Sequence, residues 1–169
     1  IVADLNGDDP IIVGILKGSL FFMKDLLSHL PLESTAEFLA LTRFGEEGRV
    51  SVTLDVSESI EDRDVVLVLE IVDTGLTLTT IRRMLETRGA RSVRTVALFD
   101  KAPRRIVEVP VEYRGFEVGD EYLLGYGLDW NGLFRNLDSV WAVMDMTELI
   151  DDPSSFVDTA YRANAAMHG

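Results

Sequence analysis

The chain has 169 residues, of which 47% are hydrophobic and 27% charged, a composition typical of one globular domain with a sizeable core, here residues 1–169. The sequence contains no Cys, which excludes disulfides, thiol nucleophiles and thiolate metal sites; this suits a reducing compartment, and we expect a cytoplasmic protein. The net charge of −13 disfavours nucleic acid and anionic membranes as partners, so an anionic ligand must be held by local backbone N–H groups, a few Lys or Arg and bound Mg²⁺.

The first third of the chain predicts three strands and one helix. Residues 10–16 form an apolar run typical of a strand buried on both faces, and residues 19–30 predict an apolar helix that stops at Pro31. Strands are predicted at 35–42 and 49–55, joined by a Gly-rich acidic turn. Each apolar run is far shorter than the ~20 residues of a membrane-spanning helix, so no membrane span is expected.

The rest of the chain predicts further alternation of strands and helices. A buried strand at 64–72 precedes a turn and an amphipathic helix that ends at Gly89, and residues 92–100 return as a strand. This repetition predicts an α/β fold, with a parallel sheet covered by helices on both faces. Shorter strands are predicted at 111–116, 122–125 and 139–144, and a terminal helix is predicted to open at Asp152 and Pro153.

The turn after the strand at 64–72 carries the strongest functional signal. Backbone N–H groups and the hydroxyls of Thr74 and Thr77 converge where a helix starts, which favours a phosphate. Glu70 and Asp73 place two carboxylates at the carboxyl end of a buried strand, where open α/β sheets bind ligands. The alternative is that Asp73 and Thr77 only cap the helix and Gly75 only turns the chain.

Five ordered segments carry a resemblance to a known family. They are VGILKGS at 13–19, EIVDTGLT at 70–77, FDKAPRR at 99–105, GFEV at 115–118, and LGYGLD with FRN between 124 and 136. Together, over about residues 10–143, they resemble the hypoxanthine-guanine phosphoribosyltransferases of the type I phosphoribosyltransferase family. The resemblance implies a parallel sheet core with flanking helices and a small hood subdomain, in a homodimer or homotetramer.

The resemblance also implies a reaction and assigns residues to it. The reaction is Mg²⁺-dependent transfer of ribose 5-phosphate from phosphoribosyl pyrophosphate to N9 of a 6-oxopurine, which gives IMP or GMP and pyrophosphate. Asp73 matches the acid near purine N7, where a carboxylate stabilises a developing oxocarbenium ion or exchanges a proton with the base. The 5′-phosphate cradle is matched by Thr74, Gly75, Leu76 and Thr77, and the pyrophosphate contacts by Leu16, Lys17, Gly18 and Arg135.

The purine contacts follow from the same resemblance. Lys101 matches the donor to purine O6, which favours oxopurines over adenine, while Tyr122 stands where a ring stacks on the purine and Leu123 supplies backbone groups. The alternative is that Tyr122 is only an ordinary aromatic residue of a strand. The alternative for Lys101, Arg104 and Arg105 is that they form only a solvated basic turn. The alternative for Lys17 is likewise that it is only a solvated turn residue.

The remaining assignments concern the ribose and the metal. Asp129 matches the metal-binding acid of the family, and Glu70 matches an acid that contacts a ribose hydroxyl and faces the metal. The family normally has a second acid where this chain has Leu69, so one hydroxyl contact is expected to be missing. In the family, the peptide between Leu16 and Lys17 is often cis.

Departures from the family pattern leave a second function class open. The family's mobile loop is replaced by residues 43–48, several residues shorter, and a shorter lid would exclude water poorly. Residues 145–169 extend past the resemblance and have no functional interpretation. The alternative function is a nucleotide-binding or regulatory module with weak or no turnover.

Overall fold

The computed structural model describes the chain except for residues 6–8, 32, 45–48 and 169. The described residues fall into two compact units, Ile1–Gly119 and Asp120–Gly169. The expectation of a single domain stays a prediction, and most of the shortened lid lies outside the described residues. In the part of the chain that the structure describes, no helix is long and apolar enough to cross a membrane.

In its described residues, the first unit is built on a six-stranded sheet with α-helices between strands. The strands are β1 (Ile11–Leu16), β2 (Thr35–Phe44), β3 (Arg49–Leu54), β4 (Asp64–Val72), β5 (Ser92–Asp100) and β6 (Tyr113–Glu117). Helix α1 (Leu20–His29) follows β1, and helix α2 (Leu76–Thr87) follows β4. Short 3₁₀ helices lie at Val2–Asp4 and Ala102–Arg104.

The sheet has the strand order β3-β2-β1-β4-β5-β6. All neighbouring strands run parallel except β2 and β3, which pair antiparallel. The predicted parallel core with flanking helices is therefore confirmed, and β3 is an antiparallel edge. The exception has a simple cause, because only four residues separate Phe44 from Arg49 and a parallel pair needs a crossover of a dozen or more.

The core of this unit lies on both faces of β4. Val65, Leu67 and Leu69 belong to one buried cluster, which also contains apolar residues of α2. Val66 and Val68 belong to a second cluster that includes residues of α1. The alternation of side chains along β4 and the helical cover on both faces are thus as predicted from the apolar run.

The second unit contains a two-stranded sheet and two helices among its described residues. The antiparallel strands are β7 (Tyr122–Leu124) and β8 (Trp141–Val143), and the helices are α3 (Met146–Asp151) and α4 (Pro153–His168). Asp152 caps α4 as predicted, since its carboxylate accepts from the N–H groups of Ser154 and Ser155 at 3.2 and 3.3 Å. The sequence did not predict α3, which Asp145 caps by accepting from Thr147 N–H at 2.8 Å.

Asp64 fixes the start of β4 against the start of β5. Its carboxylate, only 3% exposed, pairs with Arg91 at 2.8 Å and accepts from the Ser92 hydroxyl at 2.5 Å. The Arg91 guanidinium is the main cause that lowers the pKa of Asp64 below its ordinary value. Because Asp64 and Ser92 are partners in the β4–β5 register, these contacts help to set the strand pairing on which the other strand ends depend.

We expect Asp64→Asn to lower the free energy of unfolding at neutral pH by about 1–3 kcal/mol, because a hydrogen-bonded charge is lost. A folded pKa below the unfolded value means that the carboxylate contributes stability above the unfolded pKa and loses it as pH falls through the folded pKa. Urea unfolding over a series of acidic pH values should therefore show the two proteins converging. The exposed Asp120→Asn is the control, and a difference that does not change with pH would contradict this role.

Candidate functional site

A cavity of about 220 Å³ opens at the carboxyl end of β4. Its lining contains both candidate carboxylates and much of the predicted phosphate cradle, including Glu70, Asp73, Thr74, Gly75 and Thr77. The apolar wall includes Leu69, which is 6% exposed and lies within β4. The first unit therefore brings these residues together, as expected for an open α/β sheet.

The β4–α2 loop, residues 73–77, leads directly into a helix. Gly75 occupies the N-cap position with φ of 84°, in the left-handed region that favours glycine. Neither Asp73 nor Thr77 occupies the N-cap position, so the interpretation of these residues as simple caps is wrong. Because the N-cap residue is a glycine, no side chain at this position hydrogen-bonds to the free N–H groups expected at a helix start.

The turn between β1 and α1 lies beside the same carboxyl end. The peptide between Leu16 and Lys17 is cis, as the family resemblance led us to expect. Gly18 is buried, and a Cβ at this position would lie 2.0 Å from Oε1 of Glu70, so a larger residue would require the Glu70 side chain to move. Lys17 is exposed. Because β1 pairs with β4, the structure brings Gly18 and Glu70 together.

A basic segment after β5 contacts Asp73. Arg104 donates from Nε to Oδ1 of Asp73 at 2.8 Å, and Arg105 donates from Nη1 to the Asp73 carbonyl at 2.9 Å. Arg105 also forms an ion pair with Asp100. The interpretation of this segment as a solvated turn is wrong for Arg105, which is 10% exposed, and for Lys101, which is 6% exposed.

The second unit holds Tyr122 in a defined setting. Its ring packs edge-on against Trp130, with centroids 5.5 Å apart, and its hydroxyl donates to the Asp129 carbonyl at 2.8 Å. Burial is the main cause that raises the pKa of Tyr122. The phenol therefore stays protonated and keeps its role as donor well above neutral pH. Leu123 is partly buried on the same strand.

Asp129 and Arg135 form an ion pair within the second unit. Oδ1 of Asp129 lies 2.7 Å from Nη2 of Arg135, and Oδ2 accepts from the Gly132 N–H at 2.7 Å. Arg135 also donates to the Gly127 carbonyl at 2.5 Å. The resemblance assigned these two side chains to different ligands, and it did not predict that they hold each other.

The chain is similar to proteins of known family. A family model described as "Phosphoribosyl transferase domain" matches residues 1–130 of the chain. A hypoxanthine-guanine phosphoribosyltransferase of Streptococcus agalactiae is 37% identical over 144 residues, which cover 83% of this chain and 80% of the relative. The chain belongs to the phosphoribosyltransferase family.

Solved structures give the same result for this phosphoribosyltransferase. A hypoxanthine phosphoribosyltransferase from Staphylococcus aureus has a TM-score of 0.79 at 35% identity and covers 83% of this chain and 79% of its own. A variant of the Trypanosoma cruzi hypoxanthine phosphoribosyltransferase, complexed with the product IMP, has a TM-score of 0.81 at 30% identity, with coverage of 89% and 79%. The type I phosphoribosyltransferase fold is confirmed, while the roles of single residues stay predictions.

Some contacts at the site were missed from the sequence. In the first unit, Arg104 and Arg105 contact Asp73, and Arg105 also pairs with Asp100. In the second unit, Trp130 packs against Tyr122. The only sequence signal was the pair of adjacent arginines after a predicted strand. Such a pair is not specific, because charged residues are common in exposed turns. The phosphoribosyltransferase therefore has a more extensive support around Asp73 than its motifs alone indicate.

Gly75 provides a test of the loop geometry. We expect Gly75→Ala to lower the free energy of unfolding by about 1–2 kcal/mol for the left-handed conformation and by about 1–3 kcal/mol more for overpacking, since its Cβ would lie 2.5 Å from the Val107 carbonyl oxygen. Gly132→Ala is a matched control, because Gly132 has φ of 86° with nothing within 4 Å of a Cβ. Denaturant unfolding of both variants measures the difference, and equal losses would contradict the close approach of the loop to Val107.

Proposed function

We propose that the protein transfers the 5-phosphoribosyl group of phosphoribosyl pyrophosphate to N9 of hypoxanthine or guanine. In this reaction, the bond between C1′ and the pyrophosphate oxygen breaks and a bond between C1′ and N9 forms, giving IMP or GMP and pyrophosphate. The observation that carries the proposal is the cavity at the end of β4, where two carboxylates adjoin a helix start in a chain of this family. The experiment that tests it is turnover of radiolabelled hypoxanthine and guanine, and absence of transfer at saturating substrates would favour a binding module.

The β4–α2 loop is proposed to bind the 5′-phosphate. Thr74, Gly75, Leu76 and Thr77 offer N–H groups and hydroxyls at the start of α2, where the helix dipole favours negative charge. This recognition uses backbone groups and needs little positive charge. It therefore suits a protein whose net charge is −13.

Asp73 is proposed to act at the reacting centre. Positive charge develops at C1′ as pyrophosphate leaves, and a nearby carboxylate stabilises it. The same carboxylate can accept the proton that the purine loses from its N7 side when N9 forms its new bond. Asp73 lines the cavity, and its Oδ1 accepts a hydrogen bond from Arg104 Nε at 2.8 Å.

Lys101 is proposed to select the purine base. Its ammonium donates to the O6 acceptor of hypoxanthine or guanine, whereas adenine presents a donor at that position. The backbone of Lys101 is fixed, because its N–H donates to the Val72 carbonyl at 2.9 Å. In the second unit, Tyr122 is proposed to stack on the purine, and Leu123 is proposed to offer backbone groups to it.

Glu70 is proposed to accept hydrogen bonds from the ribose hydroxyls. The family's second acid is replaced by Leu69, which is buried and cannot accept a hydrogen bond. We therefore expect weaker ribose recognition than in relatives with two acids. Leu16, Lys17, Gly18 and Arg135 are proposed to contact pyrophosphate, as the resemblance implies.

Mg²⁺ is proposed as the cofactor, with Asp129 and Glu70 as its protein ligands. Their donor atoms are hard carboxylate oxygens, which Mg²⁺ prefers, and Mg²⁺ commonly takes one or two carboxylates together with phosphate oxygens of a substrate. Among the described residues, no group of three or more potential ligands could hold a metal unaided. A metal held by Asp129 and Glu70 would supply positive charge that offsets the charge of pyrophosphate. We further propose a homodimer or homotetramer in the cytoplasm, to be tested by analytical ultracentrifugation and cell fractionation.

Asp73→Asn should lower kcat by about a hundredfold or more, in the range seen when a group that stabilises transition-state charge is removed. The affinity for the 5′-phosphate should change much less, because Thr74, Gly75 and Thr77 keep their donors. Steady-state kinetics, with calorimetry of IMP binding, separate the two effects. The exposed Asp151→Asn is the control, and an unchanged kcat would remove Asp73 from the mechanism.

Chelation of Mg²⁺ should weaken binding of phosphoribosyl pyrophosphate by at least about tenfold, since the acidic protein then meets an uncompensated polyanion. Calorimetric titrations with and without chelator give the two affinities directly. Hypoxanthine, which carries no phosphate, is the control ligand, and its affinity should depend little on the metal. Equal affinities for phosphoribosyl pyrophosphate in both conditions would exclude a metal-assisted site.

A further inference from the structure

The segment after β5 holds successive carbonyl groups of the β4–α2 loop. We call residues 104–107 the brace. Its Arg105 donates from Nη1 to the Asp73 carbonyl at 2.9 Å. The backbone N–H groups of the next two residues donate to the Thr74 carbonyl at 2.9 and 3.1 Å. Both carbonyls are therefore turned toward the brace.

Fixing these carbonyls fixes the direction of two N–H groups. In a planar trans peptide, the C=O of one residue and the N–H of the next point in opposite directions. The N–H of Thr74 thus points away from Arg105, and the N–H of Gly75 points away from the brace backbone. Within the described residues, neither N–H donates to a backbone carbonyl, and both residues line the cavity.

Arg105 is itself held in place. Its side chain is 10% exposed and pairs with Asp100, whose side chain is 4% exposed. A Cβ at Gly75 would lie 3.0 Å from Cδ of Arg105, so the Arg105 side chain also packs closely on the loop. Arg114 approaches Asp100 as well, at 3.6 Å, but its side chain is 52% exposed. A nearly buried arginine with a buried counterion is a rigid support for a backbone carbonyl.

We propose that Arg105 is a positioning residue for phosphate recognition. By holding the Asp73 carbonyl, it directs the Thr74 N–H into the cavity, and the brace backbone does the same for the Gly75 N–H. Arg105 acts through the loop and does not itself touch the substrate. This inference rests on the proposed function, because it assigns the loop to a 5′-phosphate.

The test compares variants at position 105 with a matched control. Arg105→Met should weaken IMP binding in calorimetry by about ten- to hundredfold, the range expected when charge-assisted support of a binding group is lost. The KM for phosphoribosyl pyrophosphate should rise, and the KM for hypoxanthine should not. Arg105→Lys keeps a charge for Asp100 but lacks the planar fork, so it should lie between wild type and Arg105→Met. Arg114→Met removes the other cation near Asp100, and its IMP affinity should stay within about twofold.

A folded Arg105→Met protein with wild-type IMP affinity would overturn the positioning role. If variants at position 105 do not fold, amide hydrogen exchange of the unaltered protein decides, because IMP should slow exchange at Thr74 and Gly75. Unchanged exchange in the presence of bound IMP would overturn the inference. Protection of these amides by inorganic phosphate, without any purine transfer, would support the inference and overturn the proposed function. If no phosphate compound protects them while hypoxanthine is still transferred, the inference is overturned and the proposed function stands.

Discussion

The pairing of β4 with β5 sets the position of the candidate groups at the loop after β4. The two strands run parallel and in register from Asp64 and Ser92 to Val72 and Asp100. Because both strands end at the same edge of the sheet, the residues that follow them are brought together, as Asp73 and Arg104 are. On its other side, β4 pairs with β1, and this pairing brings Gly18 against Glu70. A loss of β4 pairing would therefore disperse the whole cavity lining.

Charges near the β4–α2 loop of this acidic protein are compensated locally. Asp100 and Arg105 are both nearly buried, which is costly for single charges and tolerated for a hydrogen-bonded pair. Among the described residues, no buried side-chain nitrogen or oxygen lacks a partner. With these charges already paired, the proposed attraction of the loop for a phosphate rests mainly on backbone N–H groups. Such groups contribute the same field at any pH, and their direction depends on the surrounding hydrogen bonds.

The sequence predicted the buried strands better than the contacts between loops. The bounds of β4 and β5 agree with their apolar runs, because continuous burial leaves a continuous pattern. The bounds of the shorter strands differ from the prediction. Strand β6 begins at Tyr113 instead of residue 111, and Val111 packs against the core cluster of β4. Helix α3 was missed because a helix of only six residues, three of them apolar, carries little periodic signal. The motifs located the cavity lining, but the pairing of Arg105 with Asp100 and the Asp73 carbonyl depends on tertiary structure, which local patterns do not encode.

The β4–α2 loop and the brace belong to one continuous stretch of chain, from the start of β4 at Asp64 to Val107. The loop and the brace that orients its carbonyls are therefore inherited together, without a contribution from the residues after Gly119 that carry Tyr122 and Leu123. Under the proposed roles, substitutions at Tyr122 or Leu123 can alter the contacts to the base while the loop and the brace are retained. Under these roles, selection on the O6 contact at Lys101 therefore acts on the same segment as the phosphate loop, whereas selection on the stacking ring at Tyr122 acts on the second unit.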